Sequence, residues 1–268
     1  MPYKDLVIVN NEKIFKENDT FYCDNLDLKV LPEGLNQYHR VQYIVRSSSK
    51  NKKGYQKINL KSIEVASNIF KFIYFIFKTF KIPNMSYLII SISPYTFFSF
   101  LFLFLFRKRT FIYLFSSGHE EYKYILGPWS VWIYHIMYTI VTSNSNVIVC
   151  HKRLYNKKKS HLISISRLDD KWFENHKEPS LDKIRFLYVG RVNPEKGIYE
   201  FLKMFEKIKL DAEFSVVGNI KNLKTSNKNI KLIGYISDKQ SLIDIYDNHN
   251  ILILPSFTEG QPYVVDES

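Results

Sequence analysis

At 268 residues the chain is long enough for two domains of ordinary size, and its 46% apolar and 16% aromatic content excludes intrinsic disorder. A formal charge of +12 and a pI near 9.4 point to anionic partners, whether nucleotide phosphates, acidic lipid headgroups or nucleic acid. No aromatic-and-basic RNA motif, zinc-finger spacing or helix-turn-helix signature accompanies that charge, which argues against nucleic acid. Cys23 and Cys150 stand far apart and outside any CxxC spacing; they fit a reducing compartment and read as small core residues.

The apolar run in Met1–Asn10 is too short for a secretory signal and predicts a first strand. A polar, lysine-rich region follows, with turn signals at Pro32–Gly34 and a strand over Val41–Val45. Ile63, Phe70, Ile73, Phe77 and Phe80 recur at helical spacing, predicting a helix over 59–80 with Lys61, Lys71 and Lys78 toward water. From Ser86 to Phe106 no charged residue occurs over 21 positions, close to the ~20 that a bilayer crossing requires. Pro94 splits this run, however, and the favoured reading is strand, helix, then a strand over Thr110–Phe115. Central strands of a parallel sheet are apolar on both faces. Residues 124–150 predict a helix rich in Trp and Tyr, then the strand Val147–Val149, with His135 read as structural or interfacial. These aromatics, with Lys152, Arg153 and Lys157–Lys159, suit an anionic membrane surface.

Polar residues from Asp169 to Leu181 have the composition of an interdomain connection, giving domains at 1–170 and 183–268 with a linker at 171–182. Beyond it the elements alternate: strand 184–189, helix 197–210, strands 212–217 and 230–235, helix 239–247, strand 251–254. A capping box of Ser237 and Gln240 would start the second helix. Such alternation indicates a doubly wound parallel sheet, with ligands expected at the carboxyl ends of its strands. Gly190, Gly218 and Glu259 all fall there.

Two stretches at that edge carry chemistry. Gly190-Arg-Val-Asn-Pro-Glu-Lys-Gly197 places Arg191 and Lys196 before an amphipathic helix, where a guanidinium fork and an ammonium can grip phosphate oxygens. Phe257 to Glu267 runs through a turn marked by Gly260 and Pro262 into a helix start, a natural seat for phosphate, with Glu259 in the turn and Glu267 on the helix. Exposed loops with solvated charges are the competing explanation for each stretch taken alone.

Together these segments resemble the donor domain of retaining GT-B glycosyltransferases of family 4, in which seven residues separate two glutamates, as they separate Glu259 and Glu267. Phe214–Gly218, Ile230–Ile236 and Ile163–Phe173 agree in order with that family. The resemblance implies an α/β GT-B fold of two Rossmann-like doubly wound domains. It implies that Arg191 and Lys196 hold the donor diphosphate with help from the backbone at Gly260 and Gln261, and that Gly190 and Pro262 also belong to the donor-binding set. Glu259 would then bind sugar hydroxyls, Glu267 the ribose, and the backbone near Ile236 the base. His119, after strand Phe111–Phe115, matches a histidine that relatives place near the sugar; a structural turn histidine is the alternative.

Three departures qualify the match. No glycine-rich turn follows the first strand at Val9–Lys13; Asn219 replaces the usual second glycine after Gly218; and the chain stops at Ser268, leaving the second domain incomplete relative to the family. The function implied is transfer of a hexose-type sugar, with retention, from a nucleotide-diphosphate donor to a glycan or lipid-linked acceptor in surface polysaccharide biosynthesis. No D-x-D triplet occurs, and neither metal nor cofactor is expected. Placement would be cytoplasmic, peripheral on the inner membrane face. A catalytically degenerate nucleotide-sugar-binding protein is the alternative, and an integral membrane protein the third reading.

Overall fold

Unbroken apolar runs are what a sheet covered on both faces requires, and in the computed structural model they form its central strands. The structure describes residues 4–23, 27–48, 56–155, 160–163, 168–174, 180–208, 210–221, 223–257, 259 and 262–268. Contacts divide the chain into two units, Met1–Ile163 and Ser164–Ser268. This boundary falls ahead of the 171–182 linker expected from composition. An Asp169–Lys239 ion pair and an edge-on contact of Trp172 with Tyr246 at 5.7 Å attach that connecting segment to the second unit.

The first unit runs β1 (Lys4–Glu17), β2 (Thr20–Cys23), α1 (Asp27–Leu35), β3 (His39–Ser47), β4 (Gln56–Ile58), β5 (Ile63–Ala66), α2 (Ile69–Lys78), β6 (Ser86–Ile90), α3 (Pro94–Leu105), β7 (Arg109–Leu114), α4 (Gly118–Leu126), α5 (Ser130–Ser143), β8 (Asn146–Val149) and β9 (Ser160–Leu162). Strands β5, β3, β1, β6, β7, β8 and β9 lie side by side and parallel, while β2 and β4 add an antiparallel ribbon to the far end of β1. The connections β5 to β6, β6 to β7 and β7 to β8 all advance in one direction. Right-handed crossovers therefore set α2, α3 and the α4–α5 pair on one side of the sheet; α3 contacts both α2 and α5. Between that layer and the sheet, Val7, Ile44, Ile89 and Leu114 pack with Phe72, Phe100 and Leu103.

Several local expectations change here. Residues 63–66 join the sheet beside β3 instead of opening a helix, because Asn68 ends that stretch by capping α2, its Oδ1 accepting from Lys71 N at 2.9 Å. Pro32 and Gly34 sit inside α1 and not in a turn. The chain after Val9 continues as strand where a glycine turn is absent, with buried Asn10 donating to Tyr43 Oη at 3.2 Å. Cys23 is buried as expected, but Cys150 is only half-buried. The run 86–106 is strand then helix: Ser93 and Thr96 form a reciprocal capping box with Pro94 at the first helical position. Among the described residues no helix is long and apolar enough to cross a membrane.

The second unit holds β10 (Ile184–Val189), α6 (Ile198–Lys207), β11 (Ala212–Val217), β12 (Ile230–Gly234), α7 (Lys239–Asp247), β13 (Ile251–Leu252) and α8 (Tyr263–Glu267). Its sheet has the order β12-β11-β10-β13, all parallel. Tyr188, Phe214 and Val216 meet Ile198, Leu202 and Phe205 of α6 in its core. Helix α7 has the expected bounds but a different cap: Asp238, one residue after the expected Ser237, accepts from Ser241 N at 2.8 Å.

Candidate functional site

Strand β10 has β11 on one side and β13 on the other. The chain reaches these neighbours by moving in opposite directions, so the switch point of the sheet lies between β10 and β13. In open parallel sheets the ligand crevice forms outside the strand ends at that point. The segments leaving these two strands are residues 190–197 and 253–262, the stretches whose side chains suggested chemistry.

Local backbone needs explain how they approach. Gly197 ends a single 3-10 turn (Pro194–Lys196) with φ of 64°, and a Cβ there would lie 2.1 Å from Pro255 O. Only glycine fits both the left-handed backbone and the space. Phe257 N donates to Glu195 O at 3.1 Å, a second tie between the segments. At the end of β11, Gly218 (φ 151°) passes so close to Gly190 that a Cβ would stand 2.1 Å from the Gly190 carbonyl oxygen, while Gly190 N donates to Val217 O at 3.0 Å.

Held this way, Lys196 Nζ lies 2.6 Å from Glu259 Oε1, with side-chain exposures of 16% and 25%. Beneath them Tyr188 donates its hydroxyl to Arg191 O at 2.6 Å. Burial first, and the Glu259 charge second, push the Tyr188 phenol well above its ordinary range, so it stays neutral as a donor. Asn193 Nδ2 donates to Glu195 Oε1 at 2.9 Å, bracing the turn, and the Arg191 side chain stands exposed beside it.

Glu267 occupies α8, which starts after Pro262, and its Oε2 accepts from Tyr246 Oη of α7 at 2.8 Å. Burial and the adjacent carboxylate raise the Tyr246 phenol far above its usual range. Ile236 is half-buried in the segment after β12. Gly260 and Gln261 lie outside the described residues. Sequence reasoning missed Tyr188 and Tyr246, since an aromatic on a core strand or an amphipathic helix carries no signal beyond packing.

His119 belongs to the first unit, in the first turn of α4. Its Nε2 is 3.2 Å from His135 Nδ1, and its ring packs edge-on to Tyr134 and Tyr138 at 4.7 and 5.1 Å. Burial, then the neighbouring His135, lower its pKa below the ordinary histidine value. His135, Tyr138, Lys152 and Arg153 border an open pocket of about 570 Å³ nearby.

A carboxylate and a lysine in contact, with an arginine at the lip of a sheet switch point, can hold an oxyanion and a polyhydroxylated group side by side. Residues 183–268 match the family model described as glycosyl transferases group 1. The matched residues all lie in the second unit, which is therefore similar to group 1 glycosyl transferases over that span. The chain is 30% identical over 86 residues to the capsular polysaccharide biosynthesis glycosyltransferase CapM of Staphylococcus aureus, a match covering 27% of this chain and 22% of CapM. The chain thus spans less than a quarter of that curated relative. The solved structure of Anabaena HepE in complex with UDP and glucose covers 99% of this chain and 78% of its own, with a TM-score of 0.60 and 12% identity. The lipopolysaccharide outer core galactosyltransferase WaaB, in its apo form, covers 98% of this chain and 77% of its own at a TM-score of 0.57 and 12% identity. At such identities the likeness is one of fold, and that fold is GT-B.

Proposed function

We propose that this chain transfers a hexose-type sugar from a nucleotide-diphosphate donor to a glycan or lipid-linked acceptor, with retention of anomeric configuration, in surface polysaccharide biosynthesis at the inner face of a membrane. The observation that carries the reading is the Lys196–Glu259 contact at the switch point of the group 1 domain. HepE with UDP and glucose and CapM in capsule synthesis are the relatives that support the donor class and the pathway.

In this reading the bond from the sugar's anomeric carbon to the diphosphate oxygen breaks, a new one to the acceptor oxygen forms, and the acceptor's hydroxyl proton leaves with the diphosphate or to solvent. Negative charge grows on the departing diphosphate. Lys196 and Arg191 meet it with fixed positive charge, which is electrostatic stabilisation that calls on neither metal nor cofactor. Glu259 accepts from sugar hydroxyls and orients the donor, Glu267 accepts from the ribose, the backbone around Ile236 faces the base, and Gly190, Gly260, Gln261 and Pro262 complete the donor-binding set. His119, of the first unit, contacts the donor or acceptor sugar in this reading.

Incubation with UDP- and GDP-sugars and a lipid-linked acceptor, with the product anomer read by NMR, tests the proposal. Transfer with retention, abolished in Glu259→Ala and Lys196→Ala, is expected. Nucleotide binding without turnover would replace it with the reading of a degenerate binding protein.

A further inference from the structure

From Val65 to Leu168 the chain carries thirteen Lys and Arg against two acids, Glu120 and Glu121, so nearly all of its net charge of +12 falls within 104 consecutive residues. Much of that span is the one-sided helix layer of α2, α3, α4 and α5. A water-facing helix layer ordinarily shows polar residues on its outside. This layer shows large apolar side chains, most of them aromatic: Phe70 is 84% exposed, Leu105 75%, Trp132 70% and Trp129 65%, with Tyr74, Phe77 and Phe98 each more than half exposed.

Between α2 and α3 these residues border a groove of about 520 Å³ whose walls include Ile69, Phe70, Ile73, Phe98, Leu101 and Leu105, all apolar. Cations rim it. Lys78 stands over the Tyr74 ring at 5.4 Å, Lys71 over Phe75 at 5.6 Å and Lys108 over Phe80 at 4.4 Å, with Lys81, Arg107 and Arg109 close in sequence. A continuous exposed apolar patch of this kind marks an interaction surface. Aromatic side chains ringed by Lys and Arg, with no carboxylate on α2 or α3, match the boundary between acyl chains and anionic headgroups.

We infer that the outer face of the α2–α3 pair, continued by Trp129 and Trp132 at the start of α5, docks on an anionic lipid bilayer, its aromatics entering the interface and Lys71, Lys78 and Arg107 contacting headgroups. This docking rests on the membrane placement in the proposed function and names the surface that makes the contact. Its assay contains neither donor nor acceptor, so docking and sugar transfer can each fail without the other.

The test is flotation of the full chain with vesicles of phosphatidylcholine alone or mixed with phosphatidylglycerol. Binding to the mixed vesicles only, weakened as salt rises, is expected. Each of Lys71→Gln, Lys78→Gln and Arg107→Gln should lower the partition coefficient about fivefold. The double variant Phe70→Ser/Leu105→Ser should abolish binding with an unchanged thermal midpoint, since both side chains are already in water. Brominated lipids should quench Trp129 and Trp132. Equal binding to neutral vesicles, binding indifferent to these substitutions, or a concentration-dependent dimer that protects Phe70 and Leu105 would overturn the inference, the last by assigning the face to a second copy of this chain.

Discussion

Lys196 Nζ and Glu259 Oε1 meet at 2.6 Å across two segments that are 63 residues apart in sequence. The pair joins the turn after β10 to the turn after β13, and each side chain is less than a third exposed. Removing one partner leaves the other poorly solvated. Lys196→Ala and Glu259→Gln should each lower stability by about 1–3 kcal/mol, and the double variant should lose less than the sum. Urea melts of the four proteins measure this coupling. On the proposed donor reading, Lys196→Ala also weakens UDP binding about 10- to 100-fold, read by titration calorimetry.

Gly197 should tolerate no side chain. With φ at 64° and a Cβ position 2.1 Å from Pro255 O, Gly197→Ala combines left-handed strain with a clash against backbone. A loss of about 2–4 kcal/mol is expected. Gly34, with nothing within 4 Å of its Cβ position, is the control: Gly34→Ala should leave the thermal midpoint unchanged or raise it.

Tyr246 holds Glu267 through a hydrogen bond to a carboxylate. Tyr246→Phe keeps the packing against Trp172 and frees only that carboxylate, at about 1–2 kcal/mol. UDP affinity should fall in Tyr246→Phe by less than in Glu267→Ala, because the acid remains but is no longer oriented. Equal losses in the two variants would show that Glu267 acts on the fold and not on the ligand.

Stability should depend on histidine titration. The pKa values of His119 and His249 are both lowered from 6.5 by burial, the first also by His135; His249 is held by Ile245 O at 2.6 Å. Below 6.5 the unfolded chain binds protons that the folded chain refuses, so folding stability falls as pH drops from neutral through that value and toward the lowered folded pKa values. His119→Gln should flatten part of the slope in urea midpoints measured across this range. A slope unchanged in His119→Gln would assign it to other groups.

Helix α7 offers a check on capping. Asp238→Ala should lower the thermal midpoint, since its carboxylate accepts from both the backbone and the hydroxyl of Ser241. Ser237→Ala should not.

How far the sequence could be read depended on how far apart the determining residues lie. Periodicity and punctuation are local, and they located β6, α3, β7, β10, β11 and α7 closely. Helical spacing misled at Ile63, where a pattern shared with the following helix belongs to a strand paired with β3, a partner some twenty residues upstream. The capping box failed by one position because both Ser237 and Asp238 can cap, and only the register of the helix chooses between them. At the site, charge type and turn chemistry were enough to single out Lys196 and Glu259, and the parallel sheet order brought them together. The supporting tyrosines were hidden: Tyr188 and Tyr246 become visible as donors only once their hydroxyls are placed against Arg191 O and Glu267.

The ties Gly197–Pro255 and Glu195–Phe257 make the cationic turn and the acidic turn a single splint. A splint cannot gape to admit a bulkier guest. If the donor reading holds, new sugar preferences in this lineage would arise by exchanging side chains along a fixed frame, and the separation between the phosphate grip and the hydroxyl grip would be inherited unchanged.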